Sequence, residues 1–244
     1  MLLTNDEMYT FLDGVSLGAI RSNVDFPEES LDCQTRPFRV IIIGPGGSGK
    51  DTLAACLSKY VMLDNEYLSF NGSTSLAMLP YIYSVAKKLG LEGVSELDFY
   101  NSRSKCRIFW YNVILVYRDY NPSFMINQID ADIFVGSRCL DEIRTAVNAS
   151  EDVVFVVCEG DGTPDPTWMY TTQQVYSYLW KEYGSKGIAY FQYSPDKFML
   201  TYSVLDVAQE IGSCFNKEVQ IEKRDVLMER NGVDFGCVIK GRFE

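Results

Sequence analysis

The run Gly44-Pro45-Gly46-Gly47-Ser48-Gly49-Lys50-Asp51 combines the residue types needed to hold a phosphate group. It satisfies the spacing G-x-x-x-x-G-K, with Asp51 where Ser or Thr usually follows. Glycines permit a tight turn that aims successive backbone N–H groups at one anion, and the positive end of a following helix adds to the field. A lysine at this position reaches the phosphate oxygens whose charge moves during transfer. The flanks agree with that chemistry. Apolar Phe38–Ile43 predicts a strand before the loop, and Asp51–Val61, with Leu53, Ala54, Leu57 and Tyr60 on one face, predicts a helix after it. Gly44, Gly46, Gly47, Ser48, Gly49, Lys50, Asp51 and Thr52 are the candidate phosphate-binding residues, with Lys50 and Asp51 as catalytic candidates.

Asp51 has three readings. A carboxylate is a hard oxygen ligand able to hold magnesium directly or through water. It is also a base for an acceptor oxygen, or simply an acid that complements the helix dipole. Thr52 offers a hydroxyl one residue further on.

The elements that must position this loop follow from apolar periodicity. Ala131–Gly136, Asp152–Cys158 and Gly187–Tyr193 predict strands, as does Glu66–Asn71. Helices are predicted over Ser75–Leu89, Glu96–Tyr120, Cys139–Asn148, Thr171–Tyr183 and Leu200–Phe215. Glu96–Tyr120 is rich in aromatics (Phe99, Tyr100, Phe109, Trp110, Tyr111) at core spacing and carries Arg103, Lys105, Arg107 and Arg118. Strands alternating with helices indicate βαβ units and a parallel sheet, hence an α/β domain over 38–215. Residues 1–37 read as an N-terminal extension, opened by the capping box Thr4-x-x-Glu7 before an amphipathic stretch. Residues 216–244 read as a tail with possible short strands at Val219–Ile221 and Val233–Ile239.

Composition removes several chemistries. The 244 residues contain no histidine, which excludes Ser-His and Cys-His nucleophilic pairs and histidine-ligated zinc. Seven cysteines, an odd number without a CxxC pair, imply a reducing cytoplasmic compartment and no zinc site. The N-terminus lacks the basic and apolar regions of a signal peptide, and the apolar runs are too short to span a bilayer, so no membrane partner is expected. The net charge of −11 argues mildly against a polymer-wide phosphate grip, since such affinity scales with Lys and Arg contacts.

The segment Gly44–Ala54, GPGGSGKDTLA, resembles the P-loop of nucleoside monophosphate kinases, and its Gly-Lys-Asp-Thr form resembles the bacteriophage-type deoxynucleoside monophosphate kinases. Ala131–Ile143, ADIFVGSRCLDEI, is similar to that family's strand ending in Arg, here Arg138, with Glu142 four residues on. Phe70–Leu76 falls where the family's second strand opens onto substrate, and Val154–Thr172 where it has a strand and a mobile loop. Ser137 stands where the family tends to carry Asp, and the loop lacks the family's His.

The resemblance implies a P-loop NTPase fold with a helical substrate-binding region and a lid, using ATP and Mg2+. Lys50, Arg103, Arg107 and Arg138 would then offset repulsion between two anionic substrates. Arg138 is the added catalytic candidate at a strand's carboxyl end, where ligands gather in open α/β sheets, with an ion pair to Glu142 as the alternative. Arg103 and Arg107, four apart, would share one helical face and bind the acceptor, or else simply lie on a solvated helix surface. Glu159, Asp161 and Asp165 sit in a Gly/Pro/Asp loop where one could bind magnesium through water; Gly160 and Gly162 would let that loop move. The implied reaction is phosphoryl transfer from ATP to a deoxynucleoside monophosphate. Related phage kinases that phosphorylate 5-hydroxymethyluracil within DNA supply a second acceptor class, and a nucleotide-binding switch without transfer a third reading.

Overall fold

The Phe38–Ile43 run forms the core of a strand that is buried on both faces, the environment a continuous β-branched run suits. The computed structural model describes residues 4–26, 35–70, 74–121, 124–136, 140–160, 162, 165, 168, 170–184, 186–194 and 197–221. In chain order its elements begin with α1 (Asn5–Asp13), α2 (Leu17–Arg21), β1 (Arg36–Ile43) and α3 (Lys50–Tyr60). A short hairpin, β2 (Val61–Leu63) and β3 (Glu66–Tyr67), precedes α4 (Thr74–Lys88), α5 (Glu96–Asn101), α6 (Arg107–Tyr120) and α7 (Phe124–Asn127). Then come β4 (Ile133–Val135), α8 (Leu140–Asn148), β5 (Ser150–Glu159), α9 (Thr172–Tyr183), β6 (Gly187–Gln192), α10 (Lys197–Phe215) and β7 (Val219–Ile221). They gather into two compact units, one of Met1–Cys33 with Ser75–Gln128, the other of Gln34–Thr74 with Ile129–Glu244. No helix among the described residues is long and apolar enough to cross a membrane.

The second unit holds a four-stranded parallel sheet in the order β4-β1-β5-β6, flanked by helices. Period-two alternation splits the strand side chains between its faces. Val40, Ile42, Ile133, Val135, Val154, Val156, Cys158, Ala189 and Phe191 form one buried cluster with the apolar faces of α3 and α10. α8 and α9 pack on β5 from the other face, where Phe155 meets Tyr183 with ring centroids 5.4 Å apart. The near-universal right-handed crossover explains this division: the chain moves one way along the sheet from β1 to β4 and the other way from β4 to β5 and β6. β1 and β5 are adjacent, yet their onward connections leave in opposite directions. That arrangement opens a crevice at their carboxyl ends, the usual ligand position in such sheets.

Two local readings are corrected in this unit. The helix expected through Val61 stops at Tyr60, because Val61–Leu63 pairs with β7 and β3 in a small antiparallel sheet. The strand expected over Glu66–Asn71 is confined to Glu66–Tyr67 within the described residues, and Thr74–Leu76 belongs to α4. Asp64 and Asn65 both have positive φ (52° and 69°), the conformation of a two-residue hairpin turn. The Asp64 carboxylate accepts from Lys217 Nζ (2.8 Å) and Glu218 N–H (2.9 Å), fastening β7 to the hairpin and lowering the Asp64 pKa. Residues 233–239 lie outside the described residues.

The first unit is helical. Thr4 and Glu7 form the anticipated reciprocal cap on α1. Asp13, at the end of α1, accepts from Phe109 N–H (2.9 Å) and so caps α6 from a distant part of the chain. Phe99 is fully buried among Tyr9, Tyr83 and Trp110, with ring centroids 5.2–6.3 Å away. Of the aromatics at helical spacing, Phe99, Tyr100, Phe109 and Trp110 are core and Tyr111 is half-buried. The helical region expected over Glu96–Tyr120 consists of α5, a 3-10 turn (Arg103–Cys106) and α6. The break falls at Cys106, whose φ of −138° and ψ of 45° are not helical.

Candidate active site: the phosphate cradle

The glycine-rich loop lies between the end of β1 and the start of α3, at the β1–β5 crevice. Its shape depends on residues without side chains. A Cβ at Gly44 would lie 2.7 Å from Cys158 O and 2.7 Å from Ser48 Oγ, so β5 closes one side of the loop. Gly47 and Gly49 have φ of 78° and 73°, a region that costs other L-residues about 1–2 kcal/mol. A Cβ at Gly49 would also meet the Tyr193 ring at 2.4 Å, so this ring just beyond β6 rests on the last glycine of the loop. Gly49 serves as the N-cap of α3 without any side-chain cap, leaving the first backbone N–H groups of the helix for an external acceptor.

Inside the turn, the Pro45 carbonyl accepts from Lys50 Nζ (2.9 Å) and Ser48 Oγ (2.9 Å). Ser48 is fully buried and Lys50 is 7% exposed. The lysine is thereby held against the loop with its charge at the cradle. Asp51 and Thr52 follow in the first turn of α3, both half-buried. Cys158, beneath the loop, has its thiol pKa pushed up chiefly by burial; the Lys50 charge opposes this and the Asp51 charge adds to it. All three groups therefore share one electrostatic environment.

The Gly/Pro/Asp-rich segment after β5 also reaches the cradle. A Cβ at Gly160 would lie 2.7 Å from Pro45 Cγ. Asp165 Oδ2 accepts from the Gly46 N–H at 2.7 Å. Glu159 accepts instead from the Tyr190 hydroxyl of the neighbouring strand. Asp161 lies outside the described residues.

The structure thus brings Gly44, Gly46, Gly47, Ser48, Gly49, Lys50, Asp51 and Thr52 into one loop and helix start. Arg138 and Ser137 lie outside the described residues; the preceding Gly136, with φ of 103°, ends β4 against Thr74, whose hydroxyl donates to its carbonyl at 3.2 Å. Glu142, the alternative partner of Arg138, is buried in α8. Arg103 and Arg107 belong to the first unit. The helical face predicted from their spacing does not form, because Arg103 opens a 3-10 turn and Arg107 opens α6 beyond the Cys106 break. Arg103 stacks on the Tyr100 ring at 4.2 Å and donates to the Tyr100 carbonyl at 3.0 Å.

Among the described residues no group of three or more His, Cys, Asp or Glu side chains is placed to hold a metal ion. Magnesium fits this donor set in one way. It usually binds through one or two carboxylates together with substrate phosphates and retained water, and Asp51 beside Lys50 supplies such a carboxylate. Two features escaped sequence reasoning: Tyr193 packed on Gly49, and the Asp165–Gly46 contact. A parallel strand ending beside the loop could have pointed to Tyr193. Asp165 is 119 residues from its partner, and no local pattern encodes that pairing. Comparison with family models, with curated proteins and with solved structures gives no match.

Proposed function

We propose that this chain is an ATP-dependent phosphotransferase of the P-loop, nucleoside monophosphate kinase type, and that its acceptor is a deoxynucleoside monophosphate. The observation that carries the reading is the cradle itself. Backbone N–H groups, two left-handed glycines and a nearly buried lysine converge where β1 ends and α3 begins. In this reading the loop amides and the start of α3 bind the ATP phosphates. Lys50 leaves the Pro45 carbonyl for the β- and γ-phosphates and offsets charge as the acceptor oxygen bonds to the γ-phosphorus and the bond to ADP breaks. Asp51 would hold Mg2+, which would supply neutralisation of the phosphate charge. Arg138 is proposed to bind the acceptor phosphate and to stabilise charge during transfer. Most of the catalytic effect then comes from positioning and from charges already in place.

Lys50→Ala is expected to lower turnover by about 100- to 1,000-fold while leaving the unfolding transition in place. Full activity in that variant would sink the assignment. The acceptor is identified by incubating wild-type protein with labelled ATP and a panel of the deoxynucleoside monophosphates and DNA containing 5-hydroxymethyluracil. Label in a deoxynucleoside diphosphate supports the proposal, and label in the DNA transfers it to the modified-base reading. ATP binding with no transfer to any acceptor leaves a nucleotide-binding switch.

A further inference from the structure

The Gly46 N–H is one of the donors that a P-loop reading assigns to phosphate, yet it already donates to a carboxylate of the same chain. At 2.7 Å this is a short, charge-assisted bond. A single N–H makes one such bond well, so a phosphate oxygen at Gly46 and the Asp165 carboxylate exclude one another there. Two further contacts lie beside this bond. Gly160, at the start of the same segment, approaches Pro45 so closely that an added Cβ would be 2.7 Å from the ring. The Asp165 carbonyl in turn accepts from Trp168 N–H at 3.0 Å.

We infer that Asp165 is an internal competitor for the cradle: its carboxylate occupies the Gly46 donor and must be displaced before a polyphosphate binds. This rests on reading the loop as a polyphosphate site. Competition has two components. Displacement breaks a bond to a charged acceptor, and the carboxylate also repels an incoming anion. Both act against any phosphate chain, whichever base or sugar it carries. Asp165 therefore lowers affinity for inorganic polyphosphate and for ATP alike, and it works as an autoinhibitory contact within the loop's own neighbourhood.

The test measures binding of inorganic tripolyphosphate, and separately of ATP, by calorimetry with EDTA present so that no metal bridges the carboxylate to the ligand. The proteins are the full chain, Asp165→Asn, Asp165→Ala, and each of these combined with Lys50→Ala. Asp165→Asn keeps the shape and a weaker neutral acceptor; Asp165→Ala removes both charge and acceptor. A hydrogen bond to a charged group contributes enough that its removal is expected to tighten tripolyphosphate binding by about tenfold in Asp165→Ala, with Asp165→Asn between that and wild type. ATP is expected to follow the same order. Equal affinities across the three proteins overturn the inference while leaving the cradle reading intact, and so does weaker binding in the variants. If Lys50→Ala leaves binding unchanged, or if no protein binds either ligand, the cradle reading falls and the competitor falls with it. Should Asp165→Ala fail to fold, the Asp165→Asn comparison decides alone.

Discussion

The two units of this chain use polar residues in opposite ways. In the sheet unit, the glycine-rich loop is built by backbone: Gly46 donates through its amide, Gly47 and Gly49 supply left-handed turns, and the Pro45 carbonyl holds Lys50 and Ser48. Side chains there serve mostly to exclude alternatives, as Tyr193 and Cys158 do by filling the space beside Gly49 and Gly44. In the helical unit the backbone is locked into helices, and identity resides in side-chain packing around Phe99 and in caps such as Asp13 on α6. Its best-described arginine, Arg103, makes its contacts to Tyr100 within a few residues of itself. A loop of bare amides at a helix start presents several donors to one point, the arrangement an anion requires.

That contrast can be broken by substitution. The largest effect on stability is expected from Phe99→Ala, which removes a fully buried ring contacting three aromatic neighbours. A loss of about 3–5 kcal/mol in denaturant titrations is anticipated from cavity formation. A loss below about 1 kcal/mol would show that the aromatic cluster is less tightly packed than described. Gly49→Ala should lie next. It places a Cβ 2.4 Å from the Tyr193 ring on a backbone with φ of 73°, so nucleotide binding should fall steeply. The strain alone is worth about 1–2 kcal/mol. Pairing it with Tyr193→Ala separates the two causes: partial recovery of binding assigns part of the loss to the ring, and no recovery assigns it to the backbone.

The smallest expected effect is electrostatic. Asp64 is held below its usual pKa by its hydrogen bond to Lys217 and then by that to Glu218 N–H. A depressed carboxylate stabilises the fold above its unfolded pKa of about 3.9, and that contribution disappears as pH falls through the still lower folded value. Asp64→Asn preserves the positive-φ turn while removing the charge. Thermal melts of wild type and variant should therefore differ slightly at pH 7 and converge as the pH falls below the unfolded value of about 3.9. A gap that persists in acid would assign the difference to something other than ionisation.

Reading the sequence succeeded where a signal is both local and redundant. Asp152–Cys158 is a continuous apolar run of the kind a doubly covered parallel strand carries, while Gly187–Tyr193 alternates buried and exposed residues at the sheet edge, and β5 and β6 fall there within a residue or two. The cradle was legible for the same reason, since glycine spacing, lysine and flanking elements all agree. Legibility ended where a distant partner decides the outcome. Val61 continues the apolar stripe of α3 yet joins a strand because Ile221 pairs with it. Cys106 interrupts a continuous helical pattern, and the new helix is capped by Asp13. The acidic loop around Asp165 was legible as a loop, but its contact to the Gly46 amide, 119 residues away, was not.

The pairing of β2 with β7 also has a consequence for how the chain is made. Asp64 and Glu218 are 154 residues apart, so the hairpin of Val61–Tyr67 emerges from the ribosome long before its third strand exists. At roughly 5–20 residues per second that interval is on the order of 10–30 s, during which Val61–Leu63 presents an open hydrogen-bonding edge. The order of synthesis therefore makes this small sheet the last of the described elements to close. Conditions that slow translation or crowd nascent chains should raise the demand for chaperone protection at this edge first.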